Sequence, residues 1–262
     1  MNIIVTIKQV ADPNIPPNDI QLDPEAKRIV SPFGIPPVMN GYDANALEAA
    51  LRLREKHGGR ITAVGLGDDT SRAALKHAIA MGADAAVLLN DPDWLHADSA
   101  GVGQALAAAI RKIGDFDLLL CGRQASDTDG GQVLHWIAEI LDLPAVSPVS
   151  KIEEVDGRTM IVHRLCEDGY QRLRVELPAL LGVSSETNEP RYPSIRGTMA
   201  AGRTLIPGWK ASDLGLAAFS PKVELRQLQI QLRTSNAELI EGGSGAAQGA
   251  ALADKLRELG LI

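Results

Sequence analysis

Runs of apolar residues alternate with longer helical patterns over the first 145 residues, and this alternation constrains the fold most strongly. The runs are apolar throughout, which indicates strands buried on both faces, and helices between such strands are typical of a parallel sheet. The sequence therefore predicts a doubly wound α/β domain with a mostly parallel sheet of the adenine-nucleotide-binding type. Its elements are expected as strand 3–9, helix 43–59, strand 60–67, helix 71–83, strand 85–89, helix 99–114, strand 116–122 and helix 130–143.

The residues after Pro144 predict antiparallel strands instead of further α/β units. The turn signals Asp156-Gly157 and Asp168-Gly169 divide residues 146–183 into three or four strands, so we expect an antiparallel β meander that extends or caps the sheet. The predicted divisions are an α/β domain with its meander over 1–183, a loop with a short helix over 184–204, and a tail over 205–262.

The tail is expected to wrap around a partner subunit, because it has little apolar core of its own. It contains a short strand-like stretch at 223–232 and a last helix after 241–245, for which Ser244 is a plausible N-cap.

Composition excludes several classes of function. The formal net charge is −7 and the basic residues are scattered, so neither a nucleic-acid-binding face nor direct membrane insertion is expected. We expect a cytoplasmic protein, with Cys121 and Cys166 as reduced, buried thiols. No metal-ligand spacing and no nucleophile or general-base motif is found, so we predict neither a metal site nor a catalytic residue.

The stretch CGRQASDTDGGQV, residues 121–133, follows a predicted strand and precedes a predicted helix. Backbone N–H groups in such a turn can hold a phosphate. A capping box is expected here, with Asp129 accepting a hydrogen bond from the first turn and Gln132 reaching back. Gly130 and Gly131 would let a phosphate approach the helix N-terminus. A second glycine turn, residues 65–71, follows the strand at 61–66. Because no GxxxxGK[ST] motif occurs, the sequence indicates a nucleotide that is held and not hydrolysed.

Six stretches in order resemble the β (small) subunit of electron transfer flavoproteins: VTIKQVADP, NGYDANALEAALRLRE, AMGADAAVLL, DLLLCGRQASDTDGGQV, LPALLGVSSETNEPRYPSIRGTM and LRELGLI. Residues 162–181 are similar to the family's signature. The chain departs from that signature at its last position, where Gly182 replaces a small polar, alanine or cysteine residue. The resemblance extends almost from end to end of the chain.

The resemblance implies a heterodimer with an α subunit that holds a redox-active FAD, while the β subunit contributes a wall of the FAD site and buries an AMP. The residues that correspond to the nucleotide pocket are Thr6, Asn40, Leu66, Asp127, Asp129, Gly130, Gly131, Gln132 and Val133. Tyr42 matches an aromatic residue close to the flavin ring, whereas Pro13 replaces a second aromatic residue of some members.

The nucleotide in the β pocket has two candidates. Gly131-Gln132-Val133 is closer to the Ala-Gln-Val of electron-bifurcating relatives, whose β subunit holds a second FAD in place of AMP. Leu134-His135 replaces the Gly-Pro that commonly follows in those relatives, which favours AMP.

Three functions are therefore considered. The first is an electron carrier between flavin-dependent dehydrogenases and a quinone reductase or similar acceptor. The second is a bifurcating complex that oxidises NADH, and the third is a stand-alone adenine-nucleotide-binding domain. The tail argues against the third.

Residues 188–199 match the family's recognition loop, which docks on partner dehydrogenases. The expected partner-binding residues are Asn188, Glu189, Pro190, Arg191, Tyr192, Ile195 and Met199. Ile195 stands where the family has an anchoring leucine. From the residues alone, Ile195 could instead fold back onto the domain, and Ser194 is expected to cap a short helix.

Overall fold

The computed structural model describes residues 1–25, 27–94, 96–217, 221–230 and 237–262, which divide into two compact units, 1–228 and 229–262. The strands of these described residues are β1 (Asn2–Ile7), β2 (Gln9–Val10), β3 (Gln21–Asp23), β4 (Arg28–Val30), β5 (Val38–Met39), β6 (Arg60–Leu66), β7 (Ala85–Leu89), β8 (Leu118–Gly122), β9 (Ala145–Asp156), β10 (Thr159–Cys166), β11 (Gly169–Glu176), β12 (Ala179–Val183) and β13 (Gly208–Trp209). The α-helices are α1 (Gly41–His57), α2 (Arg72–Met81), α3 (Ser99–Ile113), α4 (Val133–Leu141), α5 (Ile195–Arg203) and α6 (Gly245–Glu258).

The first unit is built on a nine-stranded sheet with the order β11-β10-β9-β12-β8-β1-β6-β7-β13. The five central strands, β12 to β7, are parallel. From β1 the chain proceeds to β6 and β7 and then returns to the other side of β1 as β8. The strand order therefore reverses between β1 and β8, which is the position where open α/β sheets bind ligands. This topology confirms the predicted doubly wound fold.

The predicted meander is confirmed as an extension of the sheet. Strands β9, β10 and β11 pair antiparallel in sequence, and β9 joins the central strands by pairing parallel with β12. The turns between them lie at the predicted positions, with Gly157 and Gly169 both in positive-φ conformations. Strand β12 belongs to the parallel part of the sheet and not to the meander.

Two apolar layers cover the sheet. Successive residues of β1 point to opposite faces, so that Val5 packs with α1 and α2 while Ile4 packs with α3 and α4. Both faces of the central strands are buried, and each buried aliphatic side chain contributes about 1.5–3 kcal/mol to stability. Stability of the first unit therefore derives mainly from these two layers, which hold the loops at the strand ends in fixed positions.

Three local predictions are wrong. Helix α1 has Asn40 and not Asp43 as its N-cap residue, because Asp43 lies inside the first turn. Residues 223–230 form no strand, although positions 231 and 232 lie outside the described residues. Cys166 is exposed at the end of β10, whereas Cys121 is buried as expected.

The second unit contains helix α6, as predicted. Ser244 caps it by accepting a hydrogen bond from the Ala247 N–H at 3.3 Å, and Lys255 pairs with Glu238 at 3.1 Å. Leu252 and Leu259 of this unit are exposed. The described part of the tail thus offers apolar side chains that its own unit does not bury.

Candidate functional site

Polar groups from three segments meet where the sheet order reverses between β1 and β8. Asn40, at the start of α1, is 1% exposed; its Nδ2 donates to the Gln124 carbonyl at 2.8 Å and its Oδ1 accepts from the Ser126 N–H at 3.2 Å. Lys8 follows β1, and its Nζ lies 2.7 Å from an Asp127 carboxylate oxygen. These contacts fix the loop after β8 against the end of β1. Of this group, the sequence analysis singled out Asn40 and Asp127.

Asp43, in the first turn of α1, links the ends of β1 and β8. One carboxylate oxygen accepts from the Lys8 N–H at 2.8 Å, and the other accepts from the Gly122 N–H at 3.1 Å. Burial raises the pKa of Asp43 to about 7, although these hydrogen bonds act in the opposite direction. Gly122 has no room for a side chain, because a Cβ atom would lie 2.4 Å from Asp43 Oδ1 and 2.9 Å from the Asp43 nitrogen. Helix α1 therefore packs directly on the end of β8.

The predicted capping box in the loop after β8 is wrong. Helix α4 begins at Val133, its N-cap residue is Gln132, and no side chain caps it. The Asp129 carboxylate instead accepts from Gln124 Nε2 at 2.8 Å. Asp129 and Gly131 have φ values of 48° and 59°, so the chain turns too sharply here to continue the helix backwards.

Backbone N–H groups at this turn lack hydrogen-bond acceptors among the described residues. The N–H groups of residues 130–134 have no acceptor within the described part of the chain. Gly130 is exposed, and the atom nearest to a Cβ built on it is Thr128 Oγ1 at 3.9 Å. Free N–H groups at the start of a nine-residue helix attract an anion through hydrogen bonds and the helix dipole. The loop fits a phosphate group.

The remaining predicted pocket residues lie along the α3–α4 face at the carboxyl ends of the strands. Leu66 and Val133 pack against the apolar layer on this face. Thr6 follows Ile4 by two residues on β1, so it lies on the same face of the sheet, beside Cys121. Burial raises the pKa of the Cys121 thiol to about 12. A thiol with so high a pKa is unreactive, so Cys121 serves as a packing residue. The second glycine turn follows β6, where Asp68 accepts from the Thr70 N–H at 3.0 Å.

Tyr42 lies on helix α1, beside the loop after β8. Its ring is 5.3 Å from the Arg123 guanidinium carbon, a distance typical of a cation–π contact. Tyr42 is half-buried and keeps part of its ring accessible. Sequence reasoning missed Lys8, Gln124 and Ser126, because their roles depend on contacts between segments more than 80 residues apart.

Residues 188–199 form a second candidate surface, which we call the 188–199 segment. Asn188 exchanges hydrogen bonds with Asn45 of α1: Asn45 Nδ2 donates to the Asn188 carbonyl at 2.6 Å and Asn188 Nδ2 donates to the Asn45 carbonyl at 3.0 Å. Glu189 accepts from Arg52 through its carbonyl at 3.3 Å. Arg191 pairs with Glu48 and Glu55, while Pro190 lies between these contacts.

The rest of the 188–199 segment presents apolar side chains to solvent. Tyr192, Ile195 and Met199 are 95%, 84% and 59% exposed. The alternative in which Ile195 folds back onto the domain is therefore wrong. Ser194 caps α5 as predicted, since its Oγ accepts from the Gly197 N–H at 2.9 Å. Ile195 and Met199 lie one turn apart on a short, capped helix, and Tyr192 precedes Ile195 by three residues.

Within the described residues, no helix is long and apolar enough to cross a membrane. The same residues contain no group of three or more histidine, cysteine, aspartate or glutamate side chains arranged to hold a metal ion.

Comparison with known proteins identifies the family. The family model described as the electron transfer flavoprotein domain matches residues 31–214. The electron transfer flavoprotein subunit beta of Thermoanaerobacterium thermosaccharolyticum is 45% identical over 201 residues, covering 77% of this chain and 75% of the relative. The caffeyl-CoA reductase-Etf complex subunit CarD of Acetobacterium woodii is 36% identical over the full length of both proteins. Protein FixA of Azorhizobium caulinodans is 35% identical, covering 97% and 93%. The chain belongs to the electron transfer flavoprotein family and corresponds to its β subunit.

Proposed function

We propose that this chain pairs with an electron transfer flavoprotein α subunit and carries electrons from flavin-dependent dehydrogenases, through an FAD shared with that subunit, to a quinone reductase or similar acceptor. The family assignment supports the role in electron transfer. The FAD would supply the redox chemistry, and this chain would supply one wall of its site. Tyr42, accessible beside Arg123, is the residue that we expect closest to the flavin.

We further propose that the crevice between β1 and β8 holds AMP. The observation that carries this proposal is the row of N–H groups at residues 130–134 that lack an acceptor within the described part of the chain. Thr6, Leu66 and Val133 would line the pocket, and Asn40 and Asp127 would keep its loop in place. AMP has no redox chemistry, so its role here would be to stabilise the heterodimer.

The tail is proposed to pack on the α subunit. In the first unit, Val223, Leu225 and Leu228 are exposed along a stretch without secondary structure. Asp98 holds the beginning of this stretch by accepting from the N–H groups of Lys222 and Val223 at 2.8 and 3.1 Å. Exposed aliphatic side chains on an extended stretch are typical of a segment that is buried by a partner.

The test is the nucleotide content of the purified αβ complex. Acid extraction followed by chromatography should give one FAD and one AMP per heterodimer. Two FAD molecules and no AMP would replace this proposal by the bifurcating function. Recovery of this chain as a stable monomer that does not bind the α subunit would contradict both.

We also propose that the 188–199 segment docks on the dehydrogenase through its exposed apolar side chains, and Ile195→Ala tests this separately. Burying one isoleucine side chain contributes about 1.5–3 kcal/mol, which corresponds to a ten- to hundredfold change in affinity. The variant should raise the KM of a flavin-dependent dehydrogenase for the complex by about that factor. Nucleotide content and heterodimer formation should stay unchanged, because Ile195 is 84% exposed in this chain. Loss of cofactor or stability without a change in KM would show that the docking assignment is wrong.

A further inference from the structure

Arg191 joins the 188–199 segment to helix α1 through two carboxylates that lie seven residues apart on one face of the helix. Arg191 Nε and Nη2 donate to the two carboxylate oxygens of Glu48 at 2.7 and 3.1 Å, and Nη2 also donates to Glu55 Oε2 at 3.2 Å. The Arg191 backbone N–H donates to Glu48 as well, at 3.3 Å. Both the side chain and the backbone of Arg191 are therefore fixed by α1.

The Glu48 carboxylate makes this attachment costly to break. Its side chain is only 3% exposed, and Arg52 Nε donates to it at 2.7 Å from the other side. Burial by itself would raise the pKa of Glu48, but the hydrogen bonds from Arg191 and Arg52 outweigh that effect and lower it. The carboxylate thus stays charged, and a buried charge requires its partners. If Arg191 left α1, this carboxylate would lose three of its four hydrogen bonds and keep only the one from Arg52.

A second contact holds the segment from the other end. Gly197 of α5 packs against α2 so closely that a Cβ atom would lie 2.1 Å from the Ala80 carbonyl oxygen. Arg72 of α2 also donates to the Ile206 carbonyl, just beyond α5. The backbone is therefore fixed at Asn188 and Arg191 on α1 and at Gly197 on α2. The side chains of Tyr192, Ile195 and Met199 lie on or next to this fixed stretch of backbone and remain exposed.

We propose that Glu48 and Glu55, acting through Arg191, are positioning residues for partner recognition, because they hold Ile195 in the conformation that enters an apolar pocket on the dehydrogenase. The inference rests on the proposed docking function of the 188–199 segment. A preformed segment loses less conformational entropy on binding than one that orders on contact. The contacts of Arg191 with Glu48 and Glu55, which we call the clamp, therefore raise the affinity for the partner without touching it. Arg191 acts through Ile195, since its own donors are engaged by the two glutamates.

The experiment uses the αβ complex with Arg191→Lys, which keeps the positive charge but cannot make the forked contact to Glu48. Arg172→Lys is the matched control. Arg172 makes a similar forked contact to Glu153, at 2.8 and 3.1 Å, on the meander strands. The probe is a flavin-dependent dehydrogenase of the same organism that reduces the wild-type complex. Three quantities are measured: the KM and the kcat of that dehydrogenase for each complex, and the rate of amide hydrogen exchange at residues 195–199.

Arg191→Lys should raise KM about three- to tenfold with kcat unchanged, and should accelerate exchange at residues 195–199. Arg172→Lys should change none of the three quantities. In the double variant Arg191→Lys/Ile195→Ala, KM should rise little beyond the value for Ile195→Ala alone, because the clamp acts through Ile195. Glu55→Gln, at an exposed position, provides a milder variant if Arg191→Lys prevents assembly.

Four results would overturn the inference. An unchanged KM in Arg191→Lys, together with a raised KM in Ile195→Ala, would refute the clamp and leave the docking function intact. A raised KM with unchanged exchange would mean that Arg191 contacts the dehydrogenase directly. Equal effects in Arg172→Lys would indicate a general loss of stability. An unchanged KM in Ile195→Ala would refute the docking function itself, and the clamp with it.

Discussion

Replacing Gly130 by aspartate tests whether the N–H groups after β8 hold a phosphate. The position suits the experiment because an added Cβ meets no atom closer than 3.9 Å and the residue has no positive φ. The fold should therefore accept Gly130→Asp. Gly131 is less suitable, because its φ of 59° would add backbone strain to any charge effect. Gly130→Asn is the matched control, with nearly the same shape and no charge.

The magnitude follows from Coulomb's law. A carboxylate about 5 Å from one phosphate charge is repelled by about 3 kcal/mol at an effective dielectric constant of about 20. Because Gly130 is exposed, water and salt reduce the repulsion to about 1.5 kcal/mol, roughly a tenfold weaker affinity for AMP. The aspartate can also occupy the free N–H groups itself, which adds to the loss.

The assay is titration of AMP into αβ complex from which the nucleotide has been removed, at about 0.05 and 0.5 M salt. Gly130→Asp should bind AMP about tenfold more weakly than Gly130→Asn at low salt, and the difference should shrink at high salt. If the two variants bind AMP equally at low salt, the phosphate does not lie at this loop and the pocket assignment fails.

The remaining predictions concern the centre of the first unit and its cofactor. Gly122→Ala should lower the free energy of unfolding by about 1–3 kcal/mol in urea denaturation, because its Cβ would lie 2.4 Å from Asp43 Oδ1; an unchanged stability would mean that α1 is not packed on β8 as described. Because the pKa of Asp43 is raised from 3.8 to about 7, the folded state binds more protons than the unfolded state between these values, so stability falls as pH rises. The wild type should lose about 2 kcal/mol relative to Asp43→Asn between pH 5 and pH 7, and parallel pH profiles would contradict this. The chain expressed without an α subunit should carry little flavin, as measured by its visible absorption, since no GxGxxG fingerprint follows β1; stoichiometric FAD would favour the bifurcating function.

Much of the fold could be predicted from local sequence signals. The fully apolar runs predicted the central strands, and the turns Asp156-Gly157 and Asp168-Gly169 predicted the meander. Ser194 and Ser244 were correctly identified as helix caps. These features depend on neighbouring residues, which a single sequence displays directly.

The errors at the candidate site share a physical origin. Asp43 and Asp129 both stand near helix starts, where a carboxylate usually caps the helix, but each binds a group outside its helix. The pairing of Arg191 with Glu48 spans 143 residues and leaves no local pattern. Contacts of this kind depend on the order of strands in the sheet, which one sequence does not reveal.

The 188–199 segment has one part that packs on α1 and another part that faces solvent. Residues 188–191 satisfy groups on α1, including a buried charge, so substitutions there affect the chain itself. Tyr192, Ile195 and Met199 face outward and contribute little to the stability of the chain. Under the proposed docking function, redirecting the protein to a different redox partner should therefore require exchange of these three side chains alone, on an otherwise unaltered scaffold.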